Sequence, residues 1–416
     1  MNPTVQELVA ALTLEEKAGL CSGADFWHTK AVERLGIPAI KVSDGPHGLR
    51  TQREGSTDPN DSIEAVCFPA GCAAAASFDP ALTRRMGAAL GREARANGVQ
   101  ILLGPAVNIK RSPLCGRNFE YYSEDPYLAG ELAAGFINGV QSEGVGTSIK
   151  HFAANDQETR RLSVNSRVDE RTLQEIYLPA FETAVKKARP WTVMCSYNRL
   201  NGAYASENKP LLTDILRGAW GFDGFVMSDW GAVNDRVKGI AAGLELEMPG
   251  SQGVNDRRLI DAVRSGALDE AVLDRAVTRI LNIVLLAADL AQRPAAQKDD
   301  MGLIYPAYRE ADIVVLASPM YYWGFSGQLK TAFDRLFAVA ECFPGYANPH
   351  KECALIMAAE GNSADNWKPV LDYYHALLGF LGWQDRGQVL AGGVFEAGAV
   401  AGQPVLDQAF RFGASL

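Results

Sequence analysis

The chain has 416 residues, 47% hydrophobic and 21% charged, with 40 basic against 49 acidic side chains and a formal net charge of -9 at pH 7. At about 150 residues per domain this is two or three folded domains, which excludes a peptide-sized, disulfide-stapled or disordered chain. The acidic balance leaves no electrostatic footprint for nucleic acid or an anionic membrane, so the expected partner is a neutral or cationic small molecule. Seven cysteines (Cys21, Cys67, Cys72, Cys115, Cys195, Cys342, Cys353), odd in number and never spaced C-x-x-C, point to reduced thiols. Glu7, Glu15 and Glu16 stand where a signal peptide needs apolar residues, and no apolar run approaches the roughly 20 residues of a membrane span. A soluble cytoplasmic protein is expected.

The chain opens helical: Thr4 with Glu7 and Thr13 with Glu16 have the spacing of capping boxes. Short apolar runs follow as expected strands at 38–43, 66–70, 100–104, 146–149, 191–196, 222–228 and 244–248. Amphipathic stretches at 80–96, 126–142, 170–187 and 211–219 lie between them as expected helices. Such alternation means parallel βα units, and about seven fit before residue 290, close to the eight that close a TIM-type (β/α)8 barrel.

Pro294 interrupts the helical stretch 270–290, so the expected domains are 1–290, a linker at 291–300, and 301–416. The last region carries an apolar strand at 311–317, the loop Ser318-Pro319-Met320-Tyr321-Tyr322-Trp323-Gly324, a helix from about Gly327 and two more strand-helix units.

Asp44, Lys150 with His151, Tyr197 with Asn198, and Asp229 all fall at carboxyl ends of expected strands. In a barrel those ends converge on one face. Each could equally cap a following helix, but four strands sharing the habit favour a pocket. Retaining cleavage of a glycosidic bond needs a carboxylate that attacks the anomeric carbon and an acid that protonates the departing oxygen. Asp229, in Phe225-Val226-Met227-Ser228-Asp229-Trp230-Gly231, is the best candidate nucleophile, with Trp230 offering an apolar face to a sugar ring. Lys150, His151 and Arg117 could hold hydroxyls and keep Asp229 ionised, and Asp44 could accept two hydroxyl hydrogen bonds.

At these residues the chain resembles the catalytic barrel of glycoside hydrolase family 3, the β-glucosidase family. The matching segments are 43–50 (SDGPHGLR), 116–126 (GRNFEYYSEDP), 150–152 (KHF), 195–198 (CSYN) and 227–230 (MSDW). The resemblance runs from about 5 to 290 and implies that Asp229 is the nucleophile, that Asp44, Arg117, Lys150 and His151 bind the sugar, and that Tyr197 lies beside the nucleophile. Aspartate at position 44 implies a glucose-type sugar. After the Lys-His pair the chain reads FAANDQETRR, similar to the multidomain branch, whose acid/base glutamate comes from a second domain beginning soon after residue 290.

Here that domain is replaced. Residues 298–416 resemble the second half of a flavodoxin-like NAD(P)H-dependent FMN reductase, through Ala317 to Gly324 and Gln328 to Arg335. Tyr321, Tyr322 and Trp323 could stack on a flat ligand or pack against a helix or another subunit. The half that binds flavin phosphate is missing from the likeness, so no bound FMN is expected, and strand 311–317 is left with an open edge that a homo-oligomer could cover. Glu360 and Glu396 are the nearest substitutes for the absent acid. No metal or ATP motif occurs. The expectation is a retaining β-glycosidase barrel fused to an incomplete flavodoxin-like unit; the rivals are a flavin-dependent oxidoreductase and a non-catalytic sugar-binding protein.

Overall fold

The computed structural model describes the chain except residues 1–2, 54, 57, 59–60, 293–300, 337–348 and 397, together with the side chains of 301–303, 328, 331 and 334–335. Cys342 and most of the expected linker lie outside the described residues. The chain divides into two compact units, Met1–Ala296 and Gln297–Leu416.

In the N-terminal unit five parallel strands lie side by side in chain order: Val42–Asp44, Ile101–Leu103, Gly146–Phe152, Thr192–Cys195 and Phe225–Ser228. Alternate residues enter two apolar clusters, with Val193 and Val226 in one and Met194, Phe225 and Met227 in the other, as the two-residue period of a strand requires. The helices begin where the sequence signals them. Both N-terminal capping boxes form, and Asp79 and Asp125 cap the helices Pro80–Ala96 and Pro126–Gln141, each with proline in its first turn. These two helices pack closely because Gly139 has no side chain; a Cβ there would stand 2.1 Å from the Arg84 carbonyl oxygen.

Three expectations are corrected. Residues 66–70 form no strand: the Phe68 amide donates to the His47 carbonyl, the Val66 amide donates to the Glu93 carboxylate, and Pro69 has no amide to give. Residues 244–248 make isolated bridges, Leu246 with Met227 and Glu247 with Ser22, in place of a full strand. The buried Arg236 guanidinium takes the carbonyls of Leu244 and Glu245, which a neighbouring strand would otherwise use, and shares the Cys21 carbonyl with the Glu247 amide. Among the described residues the main sheet of the N-terminal unit is therefore a parallel half-barrel of five strands, beside a small sheet of Asn165–Ser166, Arg199–Leu200 and Ala203–Tyr204. The single helix expected over 170–187 is broken into Glu170–Thr172, a π-helical turn Leu173–Tyr177 and Pro179–Ala188, since Pro179 cannot donate back into a continuous helix.

The C-terminal unit has three parallel strands, Ile313–Pro319, Glu352–Ala358 and Gln384–Ala391, with Glu352–Ala358 central. Its described helices are Met301–Glu310, Gly327–Arg335, Ala364–Leu381 and Pro404–Gly413, with Trp367, Val370, Tyr374 and Leu378 of the third in its apolar core. Ile313–Pro319 is an edge of this sheet. Beyond it Tyr321 and Gly324 bond to each other across a tight turn, with Tyr322 and Trp323 at positive φ. Tyr321, Tyr322 and Trp323 are 62%, 96% and 56% exposed. The six described cysteines are free thiols, four of them buried. No helix among the described residues is long and apolar enough to cross a membrane.

Candidate active site

The carboxyl ends of the half-barrel strands open into a cavity of about 390 Å³. Asp44, Arg117, Lys150, His151, Tyr197, Asp229 and Trp230, the seven residues singled out in the sequence, all line it. Phe26, Trp27, Arg50, Leu103, Glu158, Arg161 and Met194 complete the wall.

Asp44 ends the first strand, and the chain turns sharply behind it. Gly45 has φ +115°, and a Cβ there would stand 1.9 Å from the Gly48 carbonyl oxygen, so this turn requires glycine. It brings Arg50 back so that its Nη2 donates to Asp44 Oδ2 at 2.8 Å, while Lys150 Nζ donates to Oδ1 at 2.7 Å. Burial alone would raise the Asp44 carboxyl, but the Lys150 ammonium and then Arg50 hold it well below the usual carboxylate range. Asp44 is therefore an ionised acceptor and has no proton to give near neutrality.

Lys150 and His151 lie in the strand Gly146–Phe152, in which every residue is buried. Asn108 fixes the backbone of His151 from both sides, donating to its carbonyl at 2.9 Å and accepting from its amide at 2.8 Å. Burial, together with the cations Arg117, Lys150 and Arg161, pushes the His151 imidazole far below its ordinary value, so the ring is neutral. Its Nε2 stands 3.7 Å from Asp229 Oδ2. Arg117 pairs with Glu120 and stays charged despite burial.

Asp229 follows the strand Phe225–Ser228 and is 8% exposed. Its amide donates to the Cys195 carbonyl at 3.1 Å, and its Oδ1 accepts from the Trp230 amide at 2.7 Å. Oδ2 is buried without a hydrogen-bond partner. Burial raises its carboxyl above the ordinary aspartate value, opposed by Arg117 and Lys150, by the Trp230 amide and by the Tyr197 hydroxyl. That hydroxyl lies near Asp229 while its hydrogen bond goes to the Trp230 carbonyl at 2.8 Å. The result is a carboxylate in the cavity wall with Oδ1 anchored by one amide and Oδ2 buried and unpaired beside the neutral His151 ring, a group held in place without a full ion pair, as a nucleophile requires.

Trp230 packs among Trp27, with ring centres 5.5 Å apart, and Phe26, at 6.2 Å, and its Nε1 donates to the Phe26 carbonyl at 2.9 Å. Sequence reading missed this N-terminal wall, because Phe26 and Trp27 follow no strand and stand in no motif. Arg50 had a signal, lying six residues after Asp44 in one turn. Glu158 and Arg161 sit in the irregular segment after the Lys-His strand, with Arg161 Nη1 donating to Glu158 Oε2 at 3.0 Å.

Residues 6–283 match the glycosyl hydrolase family 3 N terminal domain. The chain belongs to glycosyl hydrolase family 3. It is 60% identical over 302 residues to the thermostable β-glucosidase B of Acetivibrio thermocellus, an alignment covering 72% of this chain and 40% of that protein. It is 53% identical over 287 residues to an exo-α-(1->6)-L-arabinopyranosidase of Bifidobacterium longum, covering 68% and 38%. Among solved structures, β-glucosidase 3B from Thermotoga neapolitana in complex with glycerol superposes with a TM-score of 0.66 at 33% identity, covering 85% of this chain and 62% of the other. The chain thus spans about two fifths of the length of these curated relatives. Residues 253–411 match a flavodoxin-like fold, an overlap with the family 3 region across the helix Val254–Arg264 and part of Glu270–Gln292.

Among the described residues no cluster of three or more His, Cys, Asp or Glu side chains is arranged to hold a metal ion. Glu360 and Glu396 are exposed residues of the C-terminal unit.

Proposed function

We propose that the N-terminal unit is a retaining β-glycosidase acting on terminal β-D-glucosyl residues. Asp229 is its nucleophile, Asp44, Arg117, Lys150 and His151 hold the sugar hydroxyls, and Trp230 takes a ring face. The observation that carries this reading is that Asp229 lines the cavity with no ion pair closer than 3.7 Å, whereas the other strand-end carboxylate there, Asp44, is held by two cations. Asp229 attacks the anomeric carbon, the aglycone oxygen leaves with the bonding pair and takes a proton from solvent, and water then attacks the same carbon of the glycosyl-enzyme, losing a proton to solvent and restoring the Asp229 carboxylate. Neutral His151 beside Oδ2 donates to the sugar without trapping the nucleophile in a full ion pair. β-Glucosidases and an α-L-arabinopyranosidase both stand among the relatives, so the sugar preference rests on Asp44 as a doubly anchored acceptor.

In the same reading the half-barrel belongs to a TIM-type ring whose path continues through 244–248 to Cys21–Gly23, and the C-terminal unit derives from a flavodoxin-like reductase that holds no FMN. The free thiols fit a reducing cytoplasm. The test is a panel of nitrophenyl glycosides combined with a 2-fluoro glucosyl fluoride, which should leave a stable adduct on Asp229. An adduct on another carboxylate, or faster turnover of α-L-arabinopyranoside than of β-D-glucoside, would replace the nucleophile or the sugar respectively.

A further inference from the structure

Glu158 lines the same cavity, yet it is not disposed as a proton donor. Its Oε2 accepts from Arg161 Nη1 at 3.0 Å and its Oε1 from Asn155 Nδ2 at 3.4 Å, so both oxygens are engaged as acceptors. The Arg161 guanidinium lies over the Tyr197 ring, 4.8 Å from its centre. The Tyr197 hydroxyl donates to the Trp230 carbonyl at 2.8 Å, and the Trp230 amide donates to Asp229 Oδ1 at 2.7 Å. These contacts form a continuous line from Glu158 to the anchored oxygen of Asp229. Arg161 is 38% exposed, and a long side chain at that exposure samples many rotamers unless a partner fixes it. A planar guanidinium held on one edge by a carboxylate can cover an aromatic ring with its face.

We infer that Glu158 is a positioning residue for the nucleophile: it holds Arg161 across the Tyr197 ring, and the ring so held keeps its hydroxyl on the Trp230 carbonyl beside Asp229. The inference rests on the function proposed above and adds a residue to it. Glu158 acts through Arg161 and Tyr197, so its removal should slow attack by Asp229 more than it weakens sugar binding. The groups that face Asp229 directly are Arg117, Lys150, His151 and Tyr197, and all of them remain when Glu158 is changed.

The experiment measures inactivation by the 2-fluoro glucosyl fluoride in wild type, Glu158→Gln, Glu158→Asp, Tyr197→Phe and the double variant Glu158→Gln/Tyr197→Phe, with thermal midpoints to establish folding. Glu158→Gln should lower the inactivation rate constant about tenfold, leave the half-saturating concentration within about twofold, and move the acid limb of the pH profile upward as the hydroxyl that favours the carboxylate is released. Glu158→Asp, which keeps the charge, should recover most of the rate. In the double variant the two effects should not add, because they act along one line of contacts. Additive effects, or an acid limb that moves downward as simple loss of a negative charge would require, overturn the inference while leaving the nucleophile in place. Rescue of Glu158→Gln by azide, with losses largest for poor leaving groups, would make Glu158 the acid/base itself and also overturn it. A wild-type chain that is not labelled at all defeats the proposed function, and this inference with it.

Discussion

Two strands of this chain end in similar words and opposite circumstances. Phe225–Ser228 runs into Asp229-Trp230-Gly231, and Ile313–Pro319 runs into Met320-Tyr321-Tyr322-Trp323-Gly324. After the first, the aromatic ring packs against two others from the N-terminal segment and the carboxylate faces a walled cavity. After the second, three aromatic rings stand in solvent. A strand end supplies chemistry only where loops from other elements enclose it, because enclosure turns a solvated carboxylate into one whose charge and reach are set by its neighbours.

The largest expected effect is at the enclosed end. Asp229→Asn should lower kcat for nitrophenyl β-glucoside by about 10⁴-fold or more, whereas Glu360→Gln and Glu396→Gln should leave it within twofold. A large loss in either glutamate variant would erase the contrast between the units, since it would mean that the C-terminal unit supplies the acid. The second effect comes from that acid. With Asp44 and Glu158 both tied to cations, turnover of cellobiose should be slower than that of nitrophenyl glucoside by about 10²- to 10⁴-fold, and azide should accelerate breakdown of the glycosyl-enzyme. A rate ratio near one, without an azide effect, would show that a proton donor is present.

The aromatic walls give the third test. Trp27→Ala should destabilise the protein by about 3 kcal/mol or more, because it empties a packed site, and should raise KM as Trp230 loses its neighbour. Tyr322→Ala should change stability by less than about 0.5 kcal/mol. Equal costs would mean that the exposed loop is covered in solution. The protein should also purify colourless, and retention of stoichiometric FMN after gel filtration would give the exposed aromatic loop an occupant.

The smallest effect sharpens the comparison within the half-barrel unit. Burial pushes the Asp156 carboxyl up to about 7, against the pull of Arg111, and its Oδ1 is buried without a partner. The unfolded chain ionises this group near 4, so between about pH 4 and pH 7 the folded state holds the extra proton and stability falls as pH rises. Asp156→Asn should therefore raise the thermal midpoint by about 2–4 °C at pH 8 and change little at pH 4. Asp44, held low by two cations, has the opposite sign: its contribution is present above the unfolded value and is lost as pH falls toward the folded one.

The site was legible in the sequence to the extent that strands deliver it. Asp44, Lys150, His151, Tyr197 and Asp229 each lie at or directly after an apolar run, and the parallel sheet alone is enough to bring them together. Phe26 and Trp27 were not legible, because their place depends on tertiary partners, Trp230 for the Phe26 carbonyl and Gln52 for the Trp27 indole, and not on any local period. Residues 66–70 and 244–248 have the composition of strands but lose that role to tertiary partners, the His47 carbonyl in one case and the Arg236 guanidinium in the other. The helix expected over 170–187 misleads for a local reason that was visible, the proline at 179.

The bond between Trp230 Nε1 and the Phe26 carbonyl joins residues 204 positions apart. Closing so wide a loop is slow and is rewarded late, so the wall of the cavity belongs to the last stage of assembly and not to any early fragment. During synthesis, Trp27 can find its Gln52 partner early, but the Phe26 carbonyl and the ring faces of Phe26 and Trp27 must wait for Trp230 until more than half the chain has emerged. A nascent chain stalled before residue 230 would already have all five parallel strands and the carboxylates at positions 44 and 229, but not the indole that closes the aromatic wall.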